Sequence, residues 1–319
     1  FDRPLGIAGR VMVKNGNSVE SRLYESAEPL ALIPSMPPHI QRDINQQFSP
    51  NRQVDLCPLF SAGALGKSTF DAIIANELGI AKSDIVARDL FLVNRQRGCV
   101  WGAASEFVSS PKLDDLACAF TSLKAFLASD NQRDVSVYCC FDNEEVGSNT
   151  KQGAMSTVLA DTLARVNAAL GHTSDELCQA VAKSMLVSCD NAHAVNQAGK
   201  CDAVNRCRLN GGLVVKEAAN QKYCTDAFSR AVLQAVCADA GVPLQTFANR
   251  SDMAGGSTLG NLSNTQVSVH AVDVGLPQLA MHSSYETGGA RDVTLAIEAL
   301  TAFYNADLRI DGADAVTLG

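Results

Sequence analysis

Val135-Ser136-Val137-Tyr138-Cys139-Cys140-Phe141 runs straight into Asp142-Asn143-Glu144-Glu145-Val146-Gly147-Ser148, and a helical pattern follows over residues 153–170. A short apolar run closed by polar turn residues reads as a buried strand. Alternation of such runs with amphipathic segments predicts an α/β layer, with helices on a largely parallel sheet. The pattern extends in both directions. Upstream, Leu116, Phe120, Leu123 and Leu127 follow a helical stripe. Downstream, a helix over 175–183 leads into Met185-Leu186-Val187-Ser188-Cys189, again a short strand, followed by Asp190-Asn191-Ala192-His193. A helix over 226–239, strands over 244–248 and 269–274 and a last helix over 293–305 complete the region.

Residues 1–95 have a different texture. Val11-Met12-Val13-Lys14 and Ser21-Arg22-Leu23-Tyr24 flank Asn15-Gly16-Asn17, whose Asn-Gly step favours a tight hairpin. Pro34, Pro37, Pro38, Pro50 and Pro58 punctuate the rest, around one short helix near 70–78. The expected organisation is a smaller β-rich domain over 1–95 and a larger α/β domain over 96–319.

The whole chain of 319 residues is 46% hydrophobic and 19% charged, enough apolar material for at least one full core. A net charge of −8 argues against a nucleic-acid partner, since such binding rests on basic phosphate contacts. No apolar run is long enough to span a membrane, so no membrane partner is expected. The eleven cysteines are odd in number, several lie in apolar runs, and none forms a CxxC pair. They are expected to be buried free thiols of a reducing, cytoplasmic compartment.

In open α/β sheets ligands gather beyond the carboxyl ends of strands. The polar residues there include Asp142, Glu144 and Glu145, then Asp190 and His193, then Met281-His282-Ser283 after Asp273-Val274-Gly275-Leu276-Pro277; Asp114 and Asp115 open the first long helix. Acids crowded at a strand end repel one another and lose hydration unless a cation compensates. Carboxylates with imidazole suit zinc, manganese or cobalt, and two ions bridged by a carboxylate form a hydrolytic clamp. Each residue alone has a plainer reading. A Glu-Glu pair is ordinarily a solvated loop, Asp114 a helix N-terminal acid, and a single histidine an ordinary hydrogen-bonded side chain.

Together the motifs carry a resemblance. The stretches 140–148, 188–195, 209–216 and 273–283, with Phe1-Asp2-Arg3-Pro4-Leu5-Gly6-Ile7-Ala8-Gly9-Arg10-Val11, resemble the aspartyl aminopeptidase family of metallopeptidases. The similarity runs from residue 1 to about residue 306 and loosens around 196–207. It implies a metallo-aminopeptidase-like central sheet with flanking helices and a smaller β-rich dimerisation domain. It further implies a cytoplasmic enzyme with two divalent ions, zinc first and cobalt or manganese as alternatives, that removes Asp or Glu from peptide N-termini.

By the same resemblance, Asp114 is the bridging ligand, Glu145 and His282 complete one metal site, and Asp190 belongs to the other. Glu144 is the general base that deprotonates the metal-bound water and later protonates the leaving amine. His39 reaches into the active site of a partner subunit in a dimer-based homo-oligomer, the family forming tetrahedral dodecamers. Lys216 is expected as the cation that pairs with an acidic substrate, and Gly255, Gly256 and Ser257 as a substrate-lining loop with free backbone donors. The family's remaining histidine ligand matches none of His39, His172, His193, His270 or His282. A chain that starts at Phe1 in mid-pattern and lacks that ligand is expected to be the larger part of an enzyme. The competing expectations are a non-catalytic assembly homologue and a related metal-dependent deacylase or carboxypeptidase.

Overall fold

The computed structural model describes residues 1–195, 201–312 and 315–319; the loosely matching stretch 196–207 therefore lies partly outside the described residues. The chain divides into two compact units, Phe1–Arg97 and Gly98–Gly319.

In the first unit, β1 (Leu5–Asn15) and β2 (Ser18–Glu25) form an antiparallel hairpin whose last pair is Asn15 with Ser18. Gly16 takes φ 58° in the turn, a conformation that costs glycine no Cβ clash. Helix α1 (Thr69–Leu78) precedes β3 (Ile85–Asn94), which pairs antiparallel with the other edge of β1. Alternation along β1 turns Ile7, Val11 and Val13 inward, where they meet Tyr24 and Ile74 of α1 in a small core.

The second unit opens with β4 (Cys99–Trp101), β5 (Phe107–Ser110) and the long helix α2 (Leu113–Ala128). Helices α3 (Val158–Ala169) and α4 (Ser174–Ala182) lead to β6 (Met185–Cys189) and the two-residue β7 (Ala192–His193). The chain continues through β8 (Leu213–Glu217), α5 (Ala227–Asp239), β9 (Leu244–Ala248), the short α6 (Gly260–Ser263), β10 (His270–Gly275), β11 (Pro277–Leu279), β12 (Glu286–Gly289) and α7 (Ala290–Asn305). A small hairpin, β13 (Leu308–Asp311) with β14 (Ala315–Leu318), closes it.

The central sheet has the order β6-β10-β8-β9. Its β6/β10 and β8/β9 pairs are parallel, but β10 and β8 are antiparallel, so the sheet is mixed rather than largely parallel. Apolar runs alone carry no direction, and this reversal was not readable from them. The core joins Leu213 and Val215 of β8, Val272 and Val274 of β10, Leu233 and Cys237 of α5, and Leu295, Ala296, Ala299 and Leu300 of α7.

Two strands of this sheet pass directly into a second one. Five strands, in the order β4-β5-β12-β11-β7, form a neighbouring sheet, and β6 continues into β7 as β10 continues into β11. The backbones stay paired across the crossing: Asp190 N donates to Val274 O at 3.0 Å, Ala192 N to Leu276 O at 2.8 Å and Ala194 N to Gln278 O at 2.8 Å. Gly275 makes the close approach feasible, because a Cβ there would lie 1.9 Å from the carbonyl oxygen of Asp190. Asp190 thus sits on a rigid strand junction rather than on a loop.

Four local expectations are corrected. Residues 135–141 join no strand ladder among the described residues, and Cys139 and Cys140 are exposed. All eleven cysteines are free, with only Cys118, Cys207 and Cys237 buried, so burial was read too broadly. The helix expected from 153 starts at Val158, because residues 150–157 close turns through Gly153 N to Thr150 O and Ser156 N to Gly153 O. Helix α2 has the expected period but turns its other face inward: Cys118, Thr121 and Ala125 are buried, whereas Phe120 is 54% and Leu127 68% exposed. Small residues let α2 lie close against α7, a packing demand that outranks side-chain hydrophobicity.

Leu233 is completely buried in the main core, so Leu233→Ala is expected to lower stability by about 2–5 kcal/mol through lost transfer energy and the remaining cavity, read from urea unfolding midpoints.

Candidate metal centre

Four chain segments bring three sets of acids and one histidine to the end of the β6/β10 pair. Asp190 follows β6 directly. Asp114 and Asp115 occupy the first turn of α2, where their backbone is not helical (ψ 116° at Asp114) and the peptide between them is cis. The reading of Asp114 as an ordinary helix N-terminal acid is thereby set aside. Glu144 and Glu145 lie on a short 3-10 turn, Glu144–Val146, entered through Asn143 at φ 65°. His282 sits at φ 65° in the turn after β11, closed by Ser283 N donating to Ala280 O.

His282 Nε2 lies 3.2 Å from Asp114 Oδ2 and 3.3 Å from Glu145 Oε2. Asp114, Glu145 and His282 form one compact group of donor atoms, and Asp114, Asp115 and Asp190 form a second that shares Asp114. The shared carboxylate is buried, while Glu145 and His282 face solvent. Asp142, the third acid of its loop, stands apart: its carboxylate accepts from Asn143 N and Gln152 Nε2 and fastens the loop.

Burial, and then the negative charges of Asp190, Glu145 and Glu286, push the Asp114 carboxyl up to about 8. Burial followed by Asp190 raises Asp115 well above the carboxylate range. Burial, then Asp190 and Glu145, push Glu144 to about 7. His193, on β7, is lowered by loss of hydration around its ring, although one edge is open to solvent, and then by the charges of His282 and Lys216. Oδ1 of Asp114 and Oδ1 of Asp115 are buried without a hydrogen-bond partner among the described residues. Orphaned carboxylate oxygens beside an imidazole fit a divalent cation of the zinc, manganese or cobalt type, which would replace the hydration that burial removes.

The sequence profile of the aminopeptidase I zinc metalloprotease family (M18) matches residues 1–304. The chain belongs to that family. It is 41% identical over 315 residues to a probable M18 family aminopeptidase 2 of Clostridium novyi, covering 96% of this chain and 72% of that protein. Among solved structures, that of the Ape4 and Nbr1 complex aligns with a TM-score of 0.87 at 32% identity, covering 96% of this chain and 63% of that one. The Saccharomyces cerevisiae mApe1 dodecamer aligns with a TM-score of 0.77 at 25% identity, covering 95% of this chain and 69% of that one. The chain thus spans between about three fifths and three quarters of the length of these M18 proteins.

Within this M18 chain the other expected site residues fall as follows. Lys216 is not an open cation. Its side chain is 3% exposed, and Nζ donates to Asp190 O at 2.8 Å, Asp190 Oδ2 at 3.2 Å and Asn191 O at 3.3 Å. Burial opposes its charge, but Asp190 and then Asp273 outweigh it and hold the ammonium above its ordinary pKa. Gly255 packs against Asn249, and its carbonyl accepts from Lys222 Nζ at 2.8 Å; Gly256 borders open space, and Ser257 bonds Asn261. The next residue, Thr258, is fully buried and donates to Asp190 Oδ2 at 2.8 Å, which ties this loop to the site. His39 is exposed in a turn of the first unit.

Sequence reasoning missed Asp115 as a member of the cluster, although it sits beside Asp114. It also missed Thr258 and Glu286. The only trace of Glu286 is an acid four residues beyond His282, at the head of the glycine-rich β12.

The raised Asp114 carboxyl holds a proton that a cation must displace. Zinc affinity of the metal-stripped protein is therefore expected to rise with pH, by about tenfold per unit for that proton, until it levels above about 8. In the same metal-free protein the folded state keeps protons that the unfolded chain has released. Its stability should fall as pH rises from the ordinary carboxylate range toward 8, as read by urea unfolding after chelation.

Proposed function

We propose that this chain forms the catalytic part of an aminopeptidase that removes Asp or Glu from peptide N-termini with two divalent ions, zinc first. The observation that carries the proposal is the shared Asp114, contributing to the Glu145 and His282 group on one side and to the Asp190 group on the other, with Glu144 adjacent. Zinc held there would supply Lewis acidity toward the scissile carbonyl. Glu144, pushed to about 7 by burial and neighbouring acids, is poised to take a proton from the attacking water and return it to the leaving amine. Exposure of Glu145 and His282 leaves the His282 side of the cluster open to a peptide end.

The acid preference is proposed from the family resemblance alone: Lys216, the cation expected for it, is buried with its ammonium engaged by Asp190 O, Asp190 Oδ2 and Asn191 O, and it serves to hold Asp190. The loop through Gly255, Gly256 and Ser257 is proposed to border the substrate backbone, Gly256 having no neighbour that blocks an approach. The first unit is proposed to mediate dimerisation within a homo-oligomer, as the dodecamer of mApe1 suggests, with His39 acting in the site of a partner subunit.

Glu144→Gln is expected to lower kcat by about 10²–10⁴-fold while leaving the bound zinc unchanged; retained turnover would remove Glu144 as the base, whereas a zinc-loaded wild type without turnover would favour a non-catalytic assembly protein. Peptides with a free N-terminal Asp should be cut faster than Ala-terminated or N-blocked ones, and Lys216→Met, which removes the buried partner of Asp190, should lose activity on Asp and Ala substrates alike. Cleavage of N-blocked substrates at the same rate would instead point to a deacylase or carboxypeptidase. His39→Ala should lower turnover more than metal content.

A further inference from the structure

Glu286 carries a buried charge for which the reaction outlined above has no use. It heads β12, is 2% exposed, and lies close enough to Asp114 for its charge to oppose ionisation there. A carboxylate so placed is costly unless its oxygens are well used. Its two shortest bonds come from backbone N–H groups. Oε2 accepts from the backbone N–H of Asp114 at 2.9 Å, and Oε1 from the backbone N–H of His282 at 2.7 Å. Asp114 and His282 are the two members of the first donor group that come from α2 and from the turn after β11.

The bond pattern continues inward. Gln278 Nε2 faces Glu286 Oε1 at 3.5 Å, and Gln278 Oε1 accepts from Asn191 Nδ2 at 2.6 Å. Asn191 Nδ2 also donates to Leu113 O at 2.8 Å, and its Oδ1 accepts from Cys118 Sγ at 2.9 Å. Asn191 follows Asp190 directly, so one buried chain of polar groups runs from the backbones of Asp114 and His282 to the segment that bears Asp190. Neither anchored backbone has regular geometry: Asp114 departs from its helix and His282 lies at φ 65°. The backbone N–H of each donates to the carboxylate, which thereby sets their orientation.

We infer that Glu286 is a positioning residue for the metal centre: its two oxygens clamp the main chains of Asp114 and His282 so that the imidazole and the shared carboxylate converge on one ion. Only an ionised carboxylate offers two acceptor oxygens and no donor. Glutamine keeps one oxygen but turns an NH₂ toward the other N–H. Aspartate keeps the charge but is one methylene too short to serve both. The inference rests on the metal reading proposed above, and it concerns binding rather than turnover.

The test is zinc titration of the metal-stripped full chain against a chromophoric chelator, with cobalt absorption as a second readout, on wild type, Glu286→Gln, Glu286→Asp and His282→Ala. Loss of a group that orients metal ligands typically weakens binding by about 10–100-fold. Glu286→Gln and Glu286→Asp are each expected to show that loss, with an altered cobalt spectrum, and to add less when combined with His282→Ala, where only the Asp114 half of the clamp remains to be lost. Unchanged affinity in a folded Glu286→Gln or Glu286→Asp protein overturns the inference and leaves the metal reading intact. Equal weakening in the His282→Ala background overturns it too, by showing a general effect on the fold. A wild-type chain that binds no zinc overturns both.

Discussion

Like charges held together out of water set the terms for the second unit. Asp114, Asp115, Glu144, Glu145 and Asp190 meet at the end of one strand pair, and burial and mutual repulsion raise the proton affinity of three of them. Such a cluster destabilises a fold unless opposite charge and hydrogen-bond donors are brought to it. The surrounding structure does this in layers. Lys216 places a buried ammonium on Asp190, Thr258 adds a hydroxyl donor to the same carboxylate, and backbone donors go to Glu286. The unsatisfied oxygens of Asp114 and Asp115 are what remains for a cation.

The strand junction is the device that makes this placement rigid. Because β6 and β10 cross together from the central sheet into its neighbour, Asp190 and Asn191 sit between paired backbones, with Gly275 allowing the contact. Asp190 therefore points from a fixed position, and Lys216, ending β8 in the same sheet, meets it at hydrogen-bond distance. Side-chain bonds attach the loop that ends in Thr258 and the turn that carries His282 to this frame. Family membership and the cluster geometry point to the same chemistry, one through sequence similarity along the chain and the other through the donor atoms it brings together.

Asp190 and His282 were legible because each follows an apolar run that forms a strand, Glu144 and Glu145 because they follow the run 135–141, and Asp114 because it opens a long helical stripe. Met185–Cys189 and Leu244–Ala248 form strands over the residues their apolar runs mark. Elsewhere local pattern and structure part. The run 135–141 is as apolar as β6 but has no ladder partner among the described residues, and apolarity cannot reveal whether a partner lies alongside. The stripe of α2 has the right period on the wrong face, because Cys118, Thr121 and Ala125 permit the close approach of α7 that Phe120 and Leu127 would prevent. Lys216 read as an open cation since a lysine after an apolar run ordinarily reaches solvent. Only the position of Asp190, 26 residues earlier in the chain, shows that it does not.

By itself the sequence determined the periods, the punctuation and the chemical inventory: which segments alternate, where glycine and proline end them, and which carboxylates and imidazoles follow. These are properties of neighbours along the chain, set by backbone sterics and side-chain polarity. The tertiary structure alone decided the antiparallel turn of β10 against β8, the inward face of α2, the pairing of Lys216 with Asp190 and the clamp of Glu286 on two distant backbones. Each depends on contacts between residues far apart in sequence, where shape and charge are matched only after the chain has closed on itself.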